Sequence, residues 1–391
     1  MNFNNPLPQS INDIIRLTTT VLFALFSFIY LFCIQNDVLA EAQYVFSDGL
    51  TTYSRFWGAL IITGVLVAIQ FFVANASKLV GRWYALTFFP SFLILAILTS
   101  LNRAVIEDFS FGQWIWALPL LIVLFILFLY LKRRLPGESI EEGDYSRSRY
   151  LWPNYAVLFL MMIVCGANAS ADDVYMYELK AERLLLEDDF EGASRVGEKS
   201  LNTSPRLNEM RMYALTRQGL LGEKLFDYPQ PYAEQSLMIM DDTVTRFHRF
   251  TCKDIQKSLG AWANTSVTTF DHYVSLLKKN PSTRYNPLLA DYFLCGKLLQ
   301  KDLRGFTQTI KHYYNLSSPS NVQDLPKAYR EAMLLQAKAI GNDSLNAFVD
   351  TLMLTEYKDY CAILESDESE IVRKNKLRRL YGNTLWWYLD N

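Results

Sequence analysis

The sequence predicts an all-α protein in which an N-terminal bundle of five transmembrane helices precedes a degenerate α-solenoid, a stack of irregular helical repeats. The distribution of charge predicts this division, because about 12% of residues 1–171 are charged against about 26% of residues 172–391. The second value is typical of soluble domains. Apolar residues in the second part recur at steps of three and four, which indicates helices. We therefore predict a transmembrane domain at 1–171 and a helical domain at 172–391.

The transmembrane prediction depends on five segments that each lack ionisable residues over about 20 positions. The segments are Leu17–Asn36, Phe56–Ser77, Trp83–Asn102, Phe109–Leu131 and Tyr150–Ala171. Each is long enough to cross a hydrocarbon layer of about 30 Å as a helix. Helices are required, because a backbone polar group that faces lipid must find its hydrogen-bond partner within its own segment.

The basic residues predict how the five segments are oriented. With the N-terminus inside, eight basic residues lie on the inner side and only two, Arg55 and Arg103, lie on the outer side. The inner residues are Arg16, Lys78, Arg82, Lys132, Arg133, Arg134, Arg147 and Arg149. Basic residues accumulate on the cytoplasmic side of membrane proteins. Because the number of spans is odd, residues 172–391 are predicted to lie outside the cytoplasm.

The fifth segment has a second interpretation. Arg147 and Arg149 precede an apolar run that ends in the small residues Gly166–Ala171, a pattern typical of a signal-peptidase site. Cleavage after Ala171 would release the outer domain, whereas retention would keep it anchored, and both interpretations stay open. Cys165 is interpreted as a packed thiol.

The composition argues against two classes of function. None of the five segments contains an ionisable residue, and such residues usually mark ion paths or proton relays. A proton-coupled pump is therefore disfavoured, and Gln70 is predicted to donate a hydrogen bond to a neighbouring helix. The formal charge of −2 gives no basic surplus that would indicate a nucleic-acid partner.

The first outer loop carries three acidic residues, Asp37, Glu41 and Asp48. Asp37 and Glu41 are four residues apart and would share one face of a helix. Polytopic glycosyltransferases that use lipid-linked sugars place acidic residues in this loop, and the topology here resembles theirs. That resemblance implies an alternative function, a membrane-embedded enzyme with these three as its catalytic residues. The other interpretation is that acidic residues gather outside because basic ones gather inside.

The helical domain begins with a predicted hairpin. Its turn lies at Asp188–Ala193, and its second helix is predicted to run through Val196 and Ser200 to Pro205. Its large residues are Tyr177 and Leu184, its small residues are Ala181, Ala193 and Ser200, and its terminal proline is Pro205. This spacing resembles a tetratricopeptide repeat, although Lys180 and Gly197 occupy positions that are usually large and apolar.

An aromatic, proline-rich connection follows. Pro229 and Pro231 interrupt the helix that a second repeat would need. Phe226, Tyr228 and Tyr232 stand in its place, and they are our candidate residues for binding a partner peptide. The alternative is a loop that packs these rings onto adjacent helices.

Farther along the chain, Leu299–Phe306 is similar to Leu186–Ala193: both have an acidic turn and a glycine before the next helix. Two more hairpins are predicted, Pro287–Gln300 with Phe306–Tyr314 and Leu325–Ile340 with Ser344–Leu354. Such hairpins stack because none can bury its apolar face alone. The last helix places acidic residues before basic ones, which complements the helix dipole, although its basic end beside Trp386 and Trp387 could also contact lipid headgroups.

Motifs for catalysis or cofactor binding are missing. The three histidines, His248, His272 and His312, have no metal-ligand spacing, and no phosphate-binding loop or nucleophile elbow is found. We expect no cofactor and no metal, and favour a non-enzymatic role. Cys252, Cys295 and Cys361 allow at most one disulfide in the outer domain.

Three stretches, Asp37–Gln43, Ala85–Ser91 and Gly219–Gln230, resemble an uncharacterised bacterial family of multi-spanning membrane proteins with a C-terminal tetratricopeptide-like domain. The resemblance implies a Gram-negative inner membrane with the helical domain in the periplasm, and it implies no catalytic residue. Helical repeats mostly serve as interaction surfaces. We therefore expect an envelope scaffold that binds a protein or peptide partner in the periplasm, besides the lipid bilayer.

Overall fold

The computed structural model describes residues 9–101, 112–134, 147–168, 172–237, 249–250, 252–258, 270–279, 287–316, 319–340 and 351–391. Every regular element within these ranges is helical, so the all-α prediction is confirmed there. The chain divides into two compact units, residues 1–176 and 177–391.

Unit 1 contains five helices that are long and apolar enough to cross a membrane: Ile11–Ile34, Arg55–Ser77, Gly81–Thr99, Trp114–Lys132 and Arg149–Ala167. They indicate a membrane protein and confirm the five predicted apolar segments. In sequence order the elements are α1 (Gln9–Ile29, extended by a π-helical turn at Tyr30–Ile34), α2 (Asn36–Phe46), α3 (Arg55–Ser77), a 3₁₀ helix (Gly81–Phe88) that continues as α4 (Phe89–Thr99), α5 (Trp114–Arg134) and α6 (Arg147–Ala167).

Two buried amide side chains connect the helices of unit 1. The Nε2 atom of Gln70 in α3 donates hydrogen bonds of 3.0 Å to the hydroxyl oxygens of Tyr84 and Thr87, which confirms its predicted role. Asn154 in α6 accepts a 2.7 Å hydrogen bond from the backbone N–H of Ala85 and donates one of 2.8 Å to the carbonyl of Gly81. These bonds satisfy backbone groups of the 3₁₀ segment that lipid could not satisfy.

Unit 2 is built from short helices. They are α7 (Asp173–Leu186, which crosses the boundary between the units), α8 (Phe190–Ser194), α9 (Pro205–Gln218), α10 (Leu221–Lys224), α11 (Cys252–Ser258), α12 (Phe270–Lys279), α13 (Pro287–Leu299), α14 (Leu303–Ile310), α15 (Pro319–Gln323), α16 (Lys327–Ile340), α17 (Thr351–Leu364), α18 (Glu370–Tyr381) and α19 (Leu385–Asp390). The predicted helices at Pro287–Gln300 and Leu325–Ile340 are confirmed to within two residues. The Phe306–Tyr314 helix is shifted to Leu303–Ile310, and the first residues of the predicted Ser344–Leu354 helix lie outside the described residues.

The second helix of the first hairpin is shorter than predicted. The prediction that it runs through Val196 and Ser200 to Pro205 is wrong, because α8 ends at Ser194 and turns follow. Gly197 lies in this stretch with φ of +69°, a left-handed conformation that ends an α-helix. This departs from a tetratricopeptide repeat, and the solenoid arrangement of unit 2 stays a prediction.

The predicted similarity of the two acidic turns is confirmed by their backbone geometry. Asp189 and Asp302 each cap the following helix, and each accepts a hydrogen bond of 2.8 Å from the N–H of a glycine three residues later, Gly192 or Gly305. The residues before these caps, Asp188 and Lys301, both have φ of +59°. A side-chain acceptor at the N-cap stabilises a short helix by satisfying an otherwise unpaired N–H.

Candidate functional site

The hairpin formed by α17 and α18 exposes apolar side chains on unit 2. Ile371 is 76% exposed and Val372 is 54% exposed at the start of α18, and Leu364 is exposed at the end of α17. Only Leu377 is buried within α18. Contiguous exposed apolar side chains mark candidate interaction surfaces.

The turn between these two helices is strongly acidic. We name the segment Leu364–Val372 the hairpin tip; it contains four carboxylates, Glu365, Asp367, Glu368 and Glu370. It contains no basic residue, but the guanidinium of Arg373, which follows it, donates a 3.4 Å hydrogen bond to the Ser366 carbonyl within it. Glu368 forms an ion pair with Lys376 at 3.0 Å, but both groups are about 40% exposed. Such a pair contributes at most about 1 kcal/mol. The hairpin tip therefore combines apolar contact area with negative charge.

The helix dipole explains part of this charge pattern. Glu370 lies in the first turn of α18, and Arg378 and Arg379 lie in its last turn, which is the favourable order. Glu365, however, directly follows the C-terminus of α17, where the dipole disfavours negative charge. The hairpin tip therefore carries more negative charge than the dipoles of α17 and α18 explain.

The base of the hairpin is packed on the C-terminal helix. The ring of Trp386, which is buried, lies 5.4 Å from the ring of Tyr357 in α17. The backbone N–H of Leu385 donates a 2.7 Å hydrogen bond to the buried carboxyl group of Glu331. Burial raises the pKa of Glu331 to about 7, although this N–H and the Lys327 ammonium oppose the shift. The ring contact joins the hairpin to the C-terminal helix, and the hydrogen bond joins that helix to α16, whereas Ile371 and Val372 at the tip stay exposed.

The three predicted partner-binding residues lie elsewhere in unit 2. Phe226 and Tyr228 are buried, with the ring of Phe226 5.1 Å from that of Tyr388. Tyr232 is half-buried and donates a 3.2 Å hydrogen bond to the carbonyl of Thr203. The rings pack onto neighbouring segments, so little of their surface faces solvent. Their role in binding a partner stays a prediction.

The three acidic residues of the alternative, enzymatic hypothesis lie at the end of the first candidate span. Asp37 and Glu41 share α2, with Glu41 buried and Asp37 half-buried beside the amide of Asn36 at 3.0 Å. Asp48 follows the helix with φ of +50° and is exposed. The structure therefore brings Asp37 and Glu41 together on one helix and leaves Asp48 in the turn. Their catalytic role stays a prediction.

Unit 2 contains a buried ionic cluster that the sequence did not predict. Glu182 lies 3.7 Å from the guanidinium of Arg206 and 3.8 Å from that of Arg249. It also accepts a 2.9 Å hydrogen bond from the N–H of Phe250. Burial raises the pKa of Glu182, and the two guanidinium groups oppose this shift. Because these residues are distant in sequence and have no motif, no local pattern could have predicted the cluster.

A second missed cluster centres on Asp291. Its carboxylate accepts hydrogen bonds of 2.7 Å from the hydroxyl of Tyr314 and 2.9 Å from that of Tyr329. The thiol of Cys295 lies 3.4 Å from the Tyr329 hydroxyl, and burial raises the pKa of this thiol well above its usual range. A thiol with a raised pKa is a poor nucleophile. Within the described ranges no group of three His, Cys, Asp or Glu side chains is placed to hold a metal.

The fold defines a helical protein with five candidate membrane spans and a separate helical unit. Residues 264–391, about a third of the chain, match a family of unknown function (DUF6057). This region contains Glu331, the hairpin tip and the C-terminal helix. No curated protein and no solved structure matches the chain.

Proposed function

We propose that the chain is a bacterial inner-membrane protein whose helical domain lies in the periplasm and binds a partner protein through the hairpin tip. The observation that carries this proposal is the exposure of Ile371 and Val372 beside four carboxylates. Apolar contact supplies binding energy, and the carboxylates select for positive charge. The partner is therefore a protein segment with apolar side chains flanked by lysine or arginine.

The membrane arrangement in this proposal is supported by the basic residues. Eight of them precede or follow spans on the side of the N-terminus, against two on the other side. The cytoplasmic side of a membrane holds the basic excess. The N-terminus is then cytoplasmic and unit 2 is periplasmic, as the resemblance to bacterial membrane proteins also implies. Anchoring in the bilayer would tether unit 2 to the membrane as part of an envelope scaffold.

The orientation predicts the outcome of proteolysis. In spheroplasts of a Gram-negative host, added protease is expected to remove a tag placed after Asn391 and to leave a tag before Met1 intact. Immunoblotting of the two tags measures this, and detergent lysis, which exposes both, is the control. A protected C-terminal tag with a digested N-terminal tag would reverse the topology and place unit 2 in the cytoplasm.

The partner site predicts position-specific crosslinking in the native cells. A photo-crosslinking residue in place of Ile371 or Val372 is expected to form an adduct with one partner protein. The matched control is Leu201, which is 61% exposed but lies outside the hairpin tip, and it is expected to form none. Neutralising three carboxylates together, by Glu365→Gln, Asp367→Asn and Glu370→Gln, is expected to lower the adduct yield several-fold, because the attraction to basic residues is lost.

Mass spectrometry of the crosslinked peptide decides between the possible occupants. A partner segment with lysine or arginine beside apolar residues supports the proposal. An adduct with a second copy of this chain, an adduct with lipid, or a yield that is unchanged by neutralisation would contradict it. An adduct at Leu201 as strong as that at Ile371 would show that the tip is not selective.

A further inference from the structure

Unit 1 contains a cleft of about 550 Å³ between the third, fourth and fifth candidate spans. Its walls are formed by α4 with the preceding 3₁₀ helix, by α5 and by α6. The residues that line it along most of its length are apolar, among them Phe92, Ala96, Ala117 and Met161. A cavity with such walls does not hold water, so its occupant must itself be apolar.

The cleft lies along the N-terminal half of α5, and the C-terminal half of this helix packs on the third candidate span. There the ring of Phe125 stacks on that of Phe89 at 5.2 Å, and the ring of Phe128 lies 5.7 Å from that of Trp83. Toward the N-terminus of α5, the cleft separates this helix from its neighbours. Pro119 lies between the two halves and lacks the N–H that would bond to the preceding turn. The cleft is therefore closed near Phe125 and open near the start of α5.

Polar side chains occur at the open end of the cleft. Gln113 and Asn168 line this end, together with the indole of Trp114. Amide side chains can bond to phosphate and ester oxygens, and tryptophan is enriched where a bilayer meets water. The cleft thus has an apolar interior and a polar opening. A lipid molecule has the same arrangement, with an apolar acyl chain and a polar headgroup.

The length of the cleft matches one leaflet of a bilayer. Along α6 it extends from Val157 to Asn168, a rise of about 16 Å at 1.5 Å per residue. Half of a hydrocarbon layer of about 30 Å is about 15 Å. An acyl chain that enters beside Gln113 would therefore end close to the middle of the bilayer, where Phe125 and Phe89 close the cleft.

We propose that this cleft is a binding site for a phospholipid, with one acyl chain between α4, α5 and α6 and the headgroup at Gln113 and Asn168. The lipid comes from the leaflet on the side where α5 begins. It fills the space between the N-terminal half of α5 and the neighbouring helices, and so it stabilises the position of this helix. The inference depends on unit 1 alone and stands independently of the partner site.

Native mass spectrometry of the full chain in dodecyl maltoside tests the site, with palmitoyl-oleoyl phosphatidylglycerol as the added probe. The wild-type chain is expected to keep one lipid after delipidating washes. Ala117→Trp fills the cleft and is expected to raise the apparent Kd about tenfold or more, because the indole takes the volume of several methylene groups. The control Leu120→Trp changes a neighbouring residue that is 59% exposed and does not line the cleft, and is expected to change the Kd less than about twofold.

A second variant guards against misfolding. Ala96→Phe fills the cleft from its opposite wall and is expected to weaken lipid binding as Ala117→Trp does, while melting temperatures show whether each variant is folded. Equal affinity in both cleft variants and the control would overturn the proposal. A washed wild-type chain that retains no lipid would overturn it as well, whatever the variants do.

Discussion

Replacing Arg211 with alanine is expected to lower the free energy of unfolding of the helical domain by about 3–5 kcal/mol. Arg211 is fully buried, and its Nε atom donates a 2.8 Å hydrogen bond to the carbonyl of Val196. Its guanidinium lies 4.4 Å from the centre of the Tyr228 ring. Alanine leaves the carbonyl unpaired and a cavity beneath the ring, and both changes destabilise the fold.

The interactions of Arg211 explain why this position is sensitive. They go to a carbonyl, to the hydroxyl of Thr203 at 3.5 Å and to an aromatic ring rather than to a carboxylate. Burial lowers the pKa of Arg211 to about 10, so the side chain still carries its charge at neutral pH. A β-carbon at Gly197 would lie 2.5 Å from Nη2, so only glycine leaves room for the guanidinium beside this turn.

Hydrogen exchange of the full chain measures this effect separately from unit 1. Amides of α9 are expected to exchange roughly a hundredfold faster or more in the Arg211→Ala variant, since 1.4 kcal/mol corresponds to a factor of ten. The matched control is Arg217→Ala in the same helix, because Arg217 also lies over a ring, that of Phe190 at 4.5 Å, but is exposed. Equal exchange rates in the two variants would contradict the structural role assigned to Arg211.

Replacing Glu331 with glutamine is expected to stabilise the C-terminal helix at high pH and to remove a pH dependence. Burial raises the pKa of Glu331 from 4.5 to about 7. Between these values the folded state holds a proton that the unfolded state has lost, so stability falls as the pH rises through this window. The total loss is up to about 3 kcal/mol at 1.36 kcal/mol per unit. Glutamine stays neutral and keeps an oxygen for the N–H of Leu385.

The measurement compares hydrogen exchange in α19 of wild type and variant at pH 5 and pH 8, after correction for intrinsic rates. The two proteins are expected to differ little at pH 5, and the variant is expected to be better protected at pH 8. Asp324→Asn, which neutralises an exposed carboxylate just before α16, the helix that carries Glu331, controls for a general change in charge. Weaker protection of the variant at pH 8 would show that the ionised carboxylate, rather than the neutral form, stabilises the helix.

In unit 1, the helix type of the third span could not be predicted fully from the local sequence. The apolar run Trp83–Asn102 is predicted as one helix, whereas the structure has a 3₁₀ helix at Gly81–Phe88 that becomes an α-helix at Phe89. Pro90 cannot donate the backbone bond that a continuous α-helix needs at that point. The proline was visible in the sequence, but Asn154, which satisfies the freed 3₁₀ backbone, is more than 60 residues away.

Unit 2 also has features that neighbouring residues predict and features that depend on residues far apart in the sequence. The turns at Asp189 and Asp302 were predicted because a cap, its glycine and the following helix lie within four residues. The early end of α8 has a local side, the left-handed Gly197, and a distant one, the bond from Arg211 in another helix to the carbonyl of Val196. Burial of Phe226 against Tyr388 likewise joins residues that are far apart in sequence.

The sequence by itself determined the five apolar helices and the paired acidic turns, because hydrophobic length and helix capping depend on contiguous residues. The tertiary structure alone decided that Glu331 is buried, that Ile371 stays in solvent, and that α5 stands apart from α4 and α6 to leave a cleft. Those features depend on which helices approach one another. Contacts between residues that are distant in sequence decide which helices pack together, so a short stretch of sequence does not predict these features.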